Sequence, residues 1–277
     1  MNNTKIKDIN IIAEIGWNHM GDMKLAKQMI ESAAKNGADI CKFQTWSESN
    51  LKPGAWDSDG RREVYKKAQL NKENHQNLID ICNSNNVEFL TSIFNITDLD
   101  FLTKLNSKMI KVPSHEIYNI ELIKKCVENF DLTLISTGAS YKKEIENISN
   151  NIFLEKAIFM HCVSSYPCPA NKVNLPRLEY MKNFTKEIGY SGHFQGIDDA
   201  IAAICCGATY IEKHFTIDNN LEGRDNKFAL LPNDIKALSK FKKNYLEMQI
   251  NKGIDLQESE MDTYNNYRGR WSNNVTK

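Results

Sequence analysis

Eight short apolar runs rich in β-branched residues recur along the chain, and each has the length of a single β-strand. They are INIIAEI (9–15), ADICKFQ (38–44), VEFLTSI (87–93), KMIKVPS (108–114), LTLISTG (132–138), KAIFMHC (156–162), KEIGYSG (186–192) and ATYIEKH (208–214). We therefore predict eight strands.

Longer amphipathic stretches lie between these runs, and several end at Gly or Asn, where helix C-caps are common. Examples are MKLAKQMIESAAKNG (23–37), NHQNLIDICNSNN (74–86), IYNIELIKKCVENF (117–130) and GIDDAIAAICCG (196–207). Eight strand–helix alternations predict an α/β protein with a parallel sheet, and the number favours a closed (β/α)8 TIM barrel. No Gly-x-Gly-x-x-Gly turn follows a strand run, which weakens a dinucleotide-binding interpretation.

The pattern changes near the end of the chain. The last helical stretch is NDIKALSKFKKNYLEMQ (233–249), and the residues after it are polar, Asn-rich and poorly periodic. We predict one barrel domain over residues 1–250 and a polar surface tail over 251–277. The connection 46–70 is long for a barrel, and we expect it at the catalytic face, where it could close over a ligand.

Composition narrows the functional classes. With 41% hydrophobic residues the chain can bury a large core, and Lys+Arg 35 against Asp+Glu 35 provides no excess charge to attract nucleic acid or a membrane. The N-terminus lacks the pattern of a secretory signal, so we expect a cytoplasmic protein. Most of the seven Cys lie in apolar runs, including Cys205 and Cys206, and are expected to be reduced core thiols.

Polar residues repeatedly occur at the C-terminal ends of the strand runs, the edge where barrel active sites are built. They include Glu14, Lys42, Gln44, Ser92, Lys111, Ser114, Ser136, Ser164, Tyr166, Ser191, His193, Glu212 and His214. Two lysines among hydroxyl groups indicate a site for a phosphate or carboxylate. His193 and His214 could bind one metal ion, with oxygens from Glu14 and Asp225 nearby.

Structural roles compete with these interpretations. A lone His is more often a hydrogen-bonding residue than a ligand, so His19, His115 and His161 are assigned no chemistry, and His75 is expected on a helix surface. The cluster Ser164–Tyr166 before Pro167 is equally well explained as turn chemistry.

Seven segments together carry a family resemblance. They are AEIGWNHMGD, GADICKFQTW, IKVPSHEIYN, LISTGAS, HCVSSYPCPANKVNL, GYSGHFQG and IEKHFTIDNNLEGRD, in order between about residues 9 and 235. Together they resemble the sialic acid synthase family, whose members make N-acetylneuraminate, legionaminate or pseudaminate. The resemblance implies condensation of phosphoenolpyruvate with an open-chain N-acetylmannosamine-like aldehyde, giving a nine-carbon 2-keto acid for a cell-surface glycan, and phosphate.

The resemblance also assigns residues. Phosphoenolpyruvate would bind at Lys42, Ser92, Lys111, Ser114, Ser136, Ser164 and Ser191. His193 and His214 would hold a divalent metal, most simply Mn²⁺, with Mg²⁺ or Co²⁺ as alternatives. Catalysis would use Glu14, Asp225, Lys42 and Lys111, with Glu14 as the first candidate base, and the sugar would contact Gln44, Tyr166, Asp225 and Arg224.

Three departures from the family pattern affect these expectations. Gly192 stands where an Asp is common, which predicts a missing carboxylate beside His193. Glu222 and Arg224 replace prolines around Asp225, which predicts a less rigid loop. Family members commonly continue into an antifreeze-like domain that supplies an Arg in a homodimer. We expect Arg224 to replace that cation in part, or a separate antifreeze-like protein to complete the site.

Two alternatives stay open at this point. The barrel could bind a sugar acid without catalysis, although retention of Glu14, Asp225, both lysines and both histidines argues against this. It could also run another phosphoenolpyruvate or aldol condensation on the same fold.

Overall fold

The eight strands form a closed parallel barrel in chain order. A computed structural model describes residues 8–105 and 107–271. The strands are β1 (Asn10–Glu14), β2 (Ile40–Thr45), β3 (Glu88–Ile93), β4 (Met109–Val112), β5 (Leu132–Ser136), β6 (Ala157–Cys162), β7 (Ile188–Gly192) and β8 (Tyr210–His214). The predicted (β/α)8 fold and all eight predicted strands are confirmed.

Helices connect the strands around the outside of the barrel. The α-helices are α1 (Met23–Lys35), α2 (Arg61–Ala68), α3 (Lys72–Ser84), α4 (Leu99–Leu102), α5 (Ile120–Asn129), α6 (Lys142–Asn151), α7 (Arg177–Met181), α8 (Asp198–Cys205), α9 (Pro232–Met248) and α10 (Met261–Asn266). In α1, the side chain of Asp22 caps the first turn by accepting from the N–H groups of Lys24 and Leu25, and Ala26, Met29, Ile30 and Ala33 form its buried face. Within the described part of the chain, none of the helices has the length and apolar character needed to cross a membrane.

The barrel interior changes from apolar to polar along each strand. An inner cluster fills the lower half and consists of Ile12, Ile40, Leu90, Met109, Leu134, Ile158 and Met160. Because side chains alternate between the two faces of a strand, the residue two positions after an apolar one again points inward. Glu14, Lys42, Ser92, Lys111 and Ser136 follow members of this cluster at that spacing, and all are buried. The polar layer therefore lies directly above the apolar core.

Two expectations about buried residues are wrong. His75 is fully buried rather than at a helix surface, because it shares the inner face of α3 with Leu78 and Cys82. Its Nε2 lies 2.7 Å from Thr45 Oγ1. Cys205 and Cys206 are exposed at the end of α8, so they are not core thiols.

The segment after α9 is exposed. Residues 251–271 have exposed side chains and include α10, and residues 272–277 lie outside the described part of the chain. The boundary between a barrel domain and a tail stays a prediction.

The long connection 46–70 lies at the mouth, as the sequence predicted. Its helix α2 places Tyr65 against Trp17 of the β1–α1 loop, with 5.2 Å between ring centroids. The indole N–H of Trp46 donates to the carbonyl of Tyr65 at 2.9 Å. This connection therefore packs along one side of the opening.

Candidate active site

Lys42 joins β1 to β3 within the barrel. Its Nζ lies 2.8 Å from Glu14 Oε2 and donates to Ser92 Oγ at 3.0 Å. The Gln44 amide donates to the other oxygen of Glu14. The side chains of Lys42 and Glu14 are 3% and 1% exposed, so this ion pair is removed from water.

Glu212 on β8 connects the two predicted substrate-binding lysines. Its Oε2 lies 2.7 Å from Lys111 Nζ, and its Oε1 lies 3.7 Å from Lys42 Nζ. The Ser191 hydroxyl donates to Oε1 at 3.0 Å. Sequence reasoning placed Glu212 at a strand end but gave it no role, although its spacing of two from His214 was a signal that both point inward.

The two carboxyl groups in this network have opposite pKa shifts. Burial raises the pKa of Glu14 to about 7, against the opposing charge of Lys42. Burial also acts on Glu212, but Lys111 and Lys42 outweigh it and hold the Glu212 pKa at about 2. Glu212 is thus a fixed anion, whereas Glu14 can gain or lose a proton near neutral pH.

The pKa values of the two lysines also shift in opposite directions. Burial lowers the pKa of Lys111 despite its pairing with Glu212. Burial opposes the charge of Lys42 too, but Glu14 and Glu212 together raise the pKa of Lys42 above its usual value. Lys42 therefore stays cationic.

A second group of predicted side chains surrounds Gly138, just after β5. A Cβ atom there would come within 2.5 Å of Ser164 Oγ and 2.7 Å of Ser114 Oγ. The Gly138 N–H donates to Ser114 Oγ at 3.2 Å. The absence of a side chain thus leaves two hydroxyls and a backbone N–H close together, which suits an anionic group. Ser136 is buried at the end of β5.

His193 and His214 form a third group with Tyr166. The histidine ring centroids are 5.4 Å apart, and the Tyr166 ring centroid lies 4.1 Å from that of His193. His193 Nδ1 lies 2.9 Å from the carbonyl of Val163, which requires Nδ1 to carry the proton. The basic nitrogen of neutral His193 is then Nε2.

Asp225 lies beside these rings. Its Oδ2 is 3.4 Å from His214 Nδ1, and burial raises the Asp225 pKa to about 6, against the opposing influence of Trp17. Burial also lowers the pKa of His214 well below its usual value, so this ring is neutral at pH 7.

These residues fit a divalent metal ion. A neutral imidazole is its ligand form, which His214 has at pH 7, and His214 Nδ1 is buried without a hydrogen-bond partner among the described residues. Burial opposes the charge of His193, but Cys162 and the Val163 carbonyl outweigh it and raise the His193 pKa, so a metal ion binding at that ring would displace a proton. Within the same residues, no group of three His, Cys, Asp or Glu side chains is arranged to hold an ion. A metal bound by His193 and His214 would therefore need water or substrate oxygens as well.

Arg224 lies at the rim, half exposed, and its Nη1 is 3.2 Å from Asp59 Oδ2 in the 46–70 connection. Glu222 Oε2 lies 2.7 Å from Lys67 Nζ of the same connection. The two residues at the expected proline positions thus form ion pairs with the connection after β2, and both loops lie next to β1 in the barrel. Whether Arg224 contacts the sugar stays a prediction.

The carboxylate that position 192 lacks has a neighbour in Asp199, and the effect of Gly192 on metal binding stays a prediction. A Cβ atom on Gly192 would meet Asp199 Oδ2 at 2.3 Å and Cε1 of the Tyr190 ring at 2.4 Å. Asp199 begins α8 and is buried. Its carboxylate fills the space that a side chain at position 192 would take.

Comparisons with known proteins identify the family of this chain. The NeuB family model matches residues 29–253. The N,N'-diacetyllegionaminic acid synthase of Campylobacter jejuni is 37% identical over 251 residues, which cover 84% of this chain and 75% of that protein. The Legionella pneumophila synthase of the same name is 34% identical, covering 82% and 69%. A crystal structure of N-acetylneuraminic acid synthetase from Leptospira borgpetersenii has a TM-score of 0.84 at 28% identity, covering 98% and 96%.

Proposed function

Because this chain belongs to the NeuB family, we propose that it condenses phosphoenolpyruvate with an open-chain amino sugar to give a sialic-acid-type 2-keto acid and phosphate. The observation that carries the proposal is the position of Lys42 and Lys111 in one buried network, next to the His193–His214 pair. The network suits an anion and the histidine pair suits a polarised carbonyl, so the two reactants would meet at one mouth.

Phosphoenolpyruvate would bind to the lysines and the surrounding hydroxyls. Lys42 and Lys111 are each 3% exposed on their side chains, so their charges act in a medium that screens them weakly. Ser92 and Ser191 already bond to this network, and Ser114 and Ser164 converge at Gly138. We assign the carboxylate and phosphate of the substrate to these groups.

The sugar would occupy the side of the mouth near Asp225. Gln44 and Asp225 offer hydrogen bonds, and the Tyr166 ring next to His193 offers a flat surface. The aldehyde would then point toward the two histidines, above the bound phosphoenolpyruvate. Arg224 is assigned to the outer end of the sugar.

The reaction forms one C–C bond and one C–O bond, and it breaks the C–O bond that joins carbon 2 to phosphate. Carbon 3 of phosphoenolpyruvate attacks the aldehyde carbon, whose oxygen takes a proton to become a hydroxyl. Water adds at carbon 2 and loses one proton, and the resulting tetrahedral centre expels phosphate, which takes the remaining hydroxyl proton as the 2-keto group forms. We assign the proton lost by water to Glu14, because a pKa of about 7 suits a general base at neutral pH.

The proposed metal is Mn²⁺, with Mg²⁺ or Co²⁺ as substitutes, held by His193 and His214. When bound, it would supply Lewis-acid polarisation of the aldehyde carbonyl. The hydrogen bond from His193 to the Val163 carbonyl would orient the first ring. The homodimer, a separate antifreeze-like partner and use of the product in a surface glycan stay predictions from the resemblance, and a cytoplasmic location stays a prediction from the N-terminal sequence.

Product analysis tests the proposal. Phosphoenolpyruvate labelled with ¹³C at carbons 2 and 3 is incubated with the protein, Mn²⁺ and a panel of N-acetylmannosamine-like sugars, and the products are followed by NMR and mass spectrometry. The proposal expects carbon 3 bonded to the former aldehyde carbon of one sugar and carbon 2 in a hemiketal or ketone. A different carbon skeleton, or no product with any sugar of the panel, would refute it.

A further inference from the structure

Lys213 makes three strong contacts on the outer side of the barrel. It lies between Glu212 and His214 on β8 and faces away from the mouth, with a side chain that is 3% exposed. Its Nζ donates to Asp199 Oδ1 at 2.9 Å, Asp199 Oδ2 at 2.8 Å and the Phe194 carbonyl at 2.6 Å. The hydrogens of the ammonium group are therefore all directed at oxygen atoms.

Asp199 connects α8 to two neighbouring strands. Besides Lys213 on β8, its Oδ2 accepts from the Tyr190 hydroxyl of β7 at 2.8 Å. Its Oδ1 accepts from the Ala200 N–H at 2.8 Å. A buried charge pair with this many hydrogen bonds fixes the positions of its members, because any displacement leaves a buried charge unsatisfied.

The Asp199–Lys213 pair contacts the backbone of the residue next to His193. Phe194 directly follows His193, and its carbonyl is the third partner of Lys213. On the other side, the His193 carbonyl accepts from the Cys168 N–H at 2.8 Å. The backbone around His193 is thus held at both carbonyls, while its ring is held by Val163.

We propose that Asp199 and Lys213 are positioning residues that hold the His193 imidazole in place at the mouth from outside the barrel. Asp199 can do this from a helix because Gly192 has no side chain to occupy the same space. The effect on turnover rests on the proposed function, whereas the effect on the His193 ring does not.

Relocation of the carboxylate provides the test. Asp199→Ala removes it. The double variant Gly192→Asp with Asp199→Gly would return it from the adjacent strand to the same ammonium group once the Tyr190 ring turns aside, because a Cβ atom at position 192 would meet Tyr190 Cε1 at 2.4 Å. Asp198→Ala removes the neighbouring exposed carboxylate of α8 and is the matched control. Asp199→Asn keeps the shape without the charge and replaces Asp199→Ala if the latter does not fold.

The readouts are the ¹⁵N and ¹H signals of His193 Nδ1–H in metal-free protein, assigned with His193→Gln, and steady-state kinetics with Mn²⁺. We expect Asp199→Ala to shift or broaden the His193 signal and to lower kcat about 10- to 100-fold, as for other residues that orient metal ligands. The double variant should recover the His193 signal and kcat, and Asp198→Ala should change neither of them.

An unchanged His193 signal in the folded Asp199 variant would overturn the proposal. A double variant that regains thermal stability but not the His193 signal would also overturn it. A changed signal in a protein that never turns over would instead refute the synthase function alone.

Discussion

Glu212 Oε2 lies 2.7 Å from Lys111 Nζ, and both side chains are buried inside the barrel. The residues belong to β8 and β4, which lie on opposite sides of the closed sheet, so this ion pair crosses the barrel. It holds a cation ready for an anionic substrate without leaving a buried charge unpaired.

Glu212→Gln is therefore expected to destabilise the protein. Removing one member of a buried pair leaves the other charge uncompensated, which costs about 3–5 kcal/mol of unfolding free energy. Urea denaturation followed by circular dichroism measures the loss. The double variant Lys111→Met with Glu212→Gln should recover most of it, and a double variant as unstable as the single one would show that the pair is not the cause.

Glu14 should impose a pH dependence on catalysis. Its pKa is raised from 4.5 to about 7, so it is neutral below pH 7 and a carboxylate above it. Since a base must be deprotonated to accept a proton, kcat/KM should rise with pH and level off above about pH 7. Glu14→Gln should remove this rise in the pH profile of kcat/KM and lower kcat by about 100-fold or more. Intact turnover in Glu14→Gln with metal still bound would rule out the assignment.

His193 and His214 should account for metal affinity. Each His→Ala substitution removes one of two imidazole donors, and we expect Mn²⁺ binding, measured by electron paramagnetic resonance, to weaken about 100-fold or more. In the unmodified protein, chelation should abolish turnover and added Mn²⁺ should restore it. Wild-type Mn²⁺ affinity in either variant would place the metal elsewhere.

Substitution of Arg224 should change the KM for the sugar and leave the KM for phosphoenolpyruvate unchanged. It is half exposed at the rim, where a charge contributes about 1 kcal/mol, so Arg224→Ala should raise the sugar KM about fivefold. Lys67→Ala is the control, because it breaks the other ion pair between the same two loops and keeps Arg224. An unchanged sugar KM in Arg224→Ala, or an equal rise in Lys67→Ala, would remove Arg224 from the sugar site.

Much of the fold and mouth could be predicted because both follow from short-range patterns. Apolar runs mark the strands, and the rule that barrel sites lie at the C-terminal strand ends places Lys42, Lys111 and His193 near one another. The stripe of His75, Leu78 and Cys82 was also readable, at spacings of three and four, and overlooking it led to the wrong surface assignment.

Other features depend on distances that no local pattern contains. The Glu212–Lys111 pair spans the barrel, so it follows only from closure of the sheet. Asp199 is an acidic residue in the first turn of a helix, which is a common feature and predicts no special role from sequence. Its positions next to Gly192 and Lys213 become apparent only in the folded structure.

The most direct test of the account is phosphate release from phosphoenolpyruvate in the presence of Mn²⁺, with and without each amino sugar. We expect phosphate release to require one of the sugars and to be lost in Lys42→Met. Release should persist in Lys24→Met, which removes an exposed lysine of α1. Release that does not depend on any sugar, or that survives in Lys42→Met, would contradict the account.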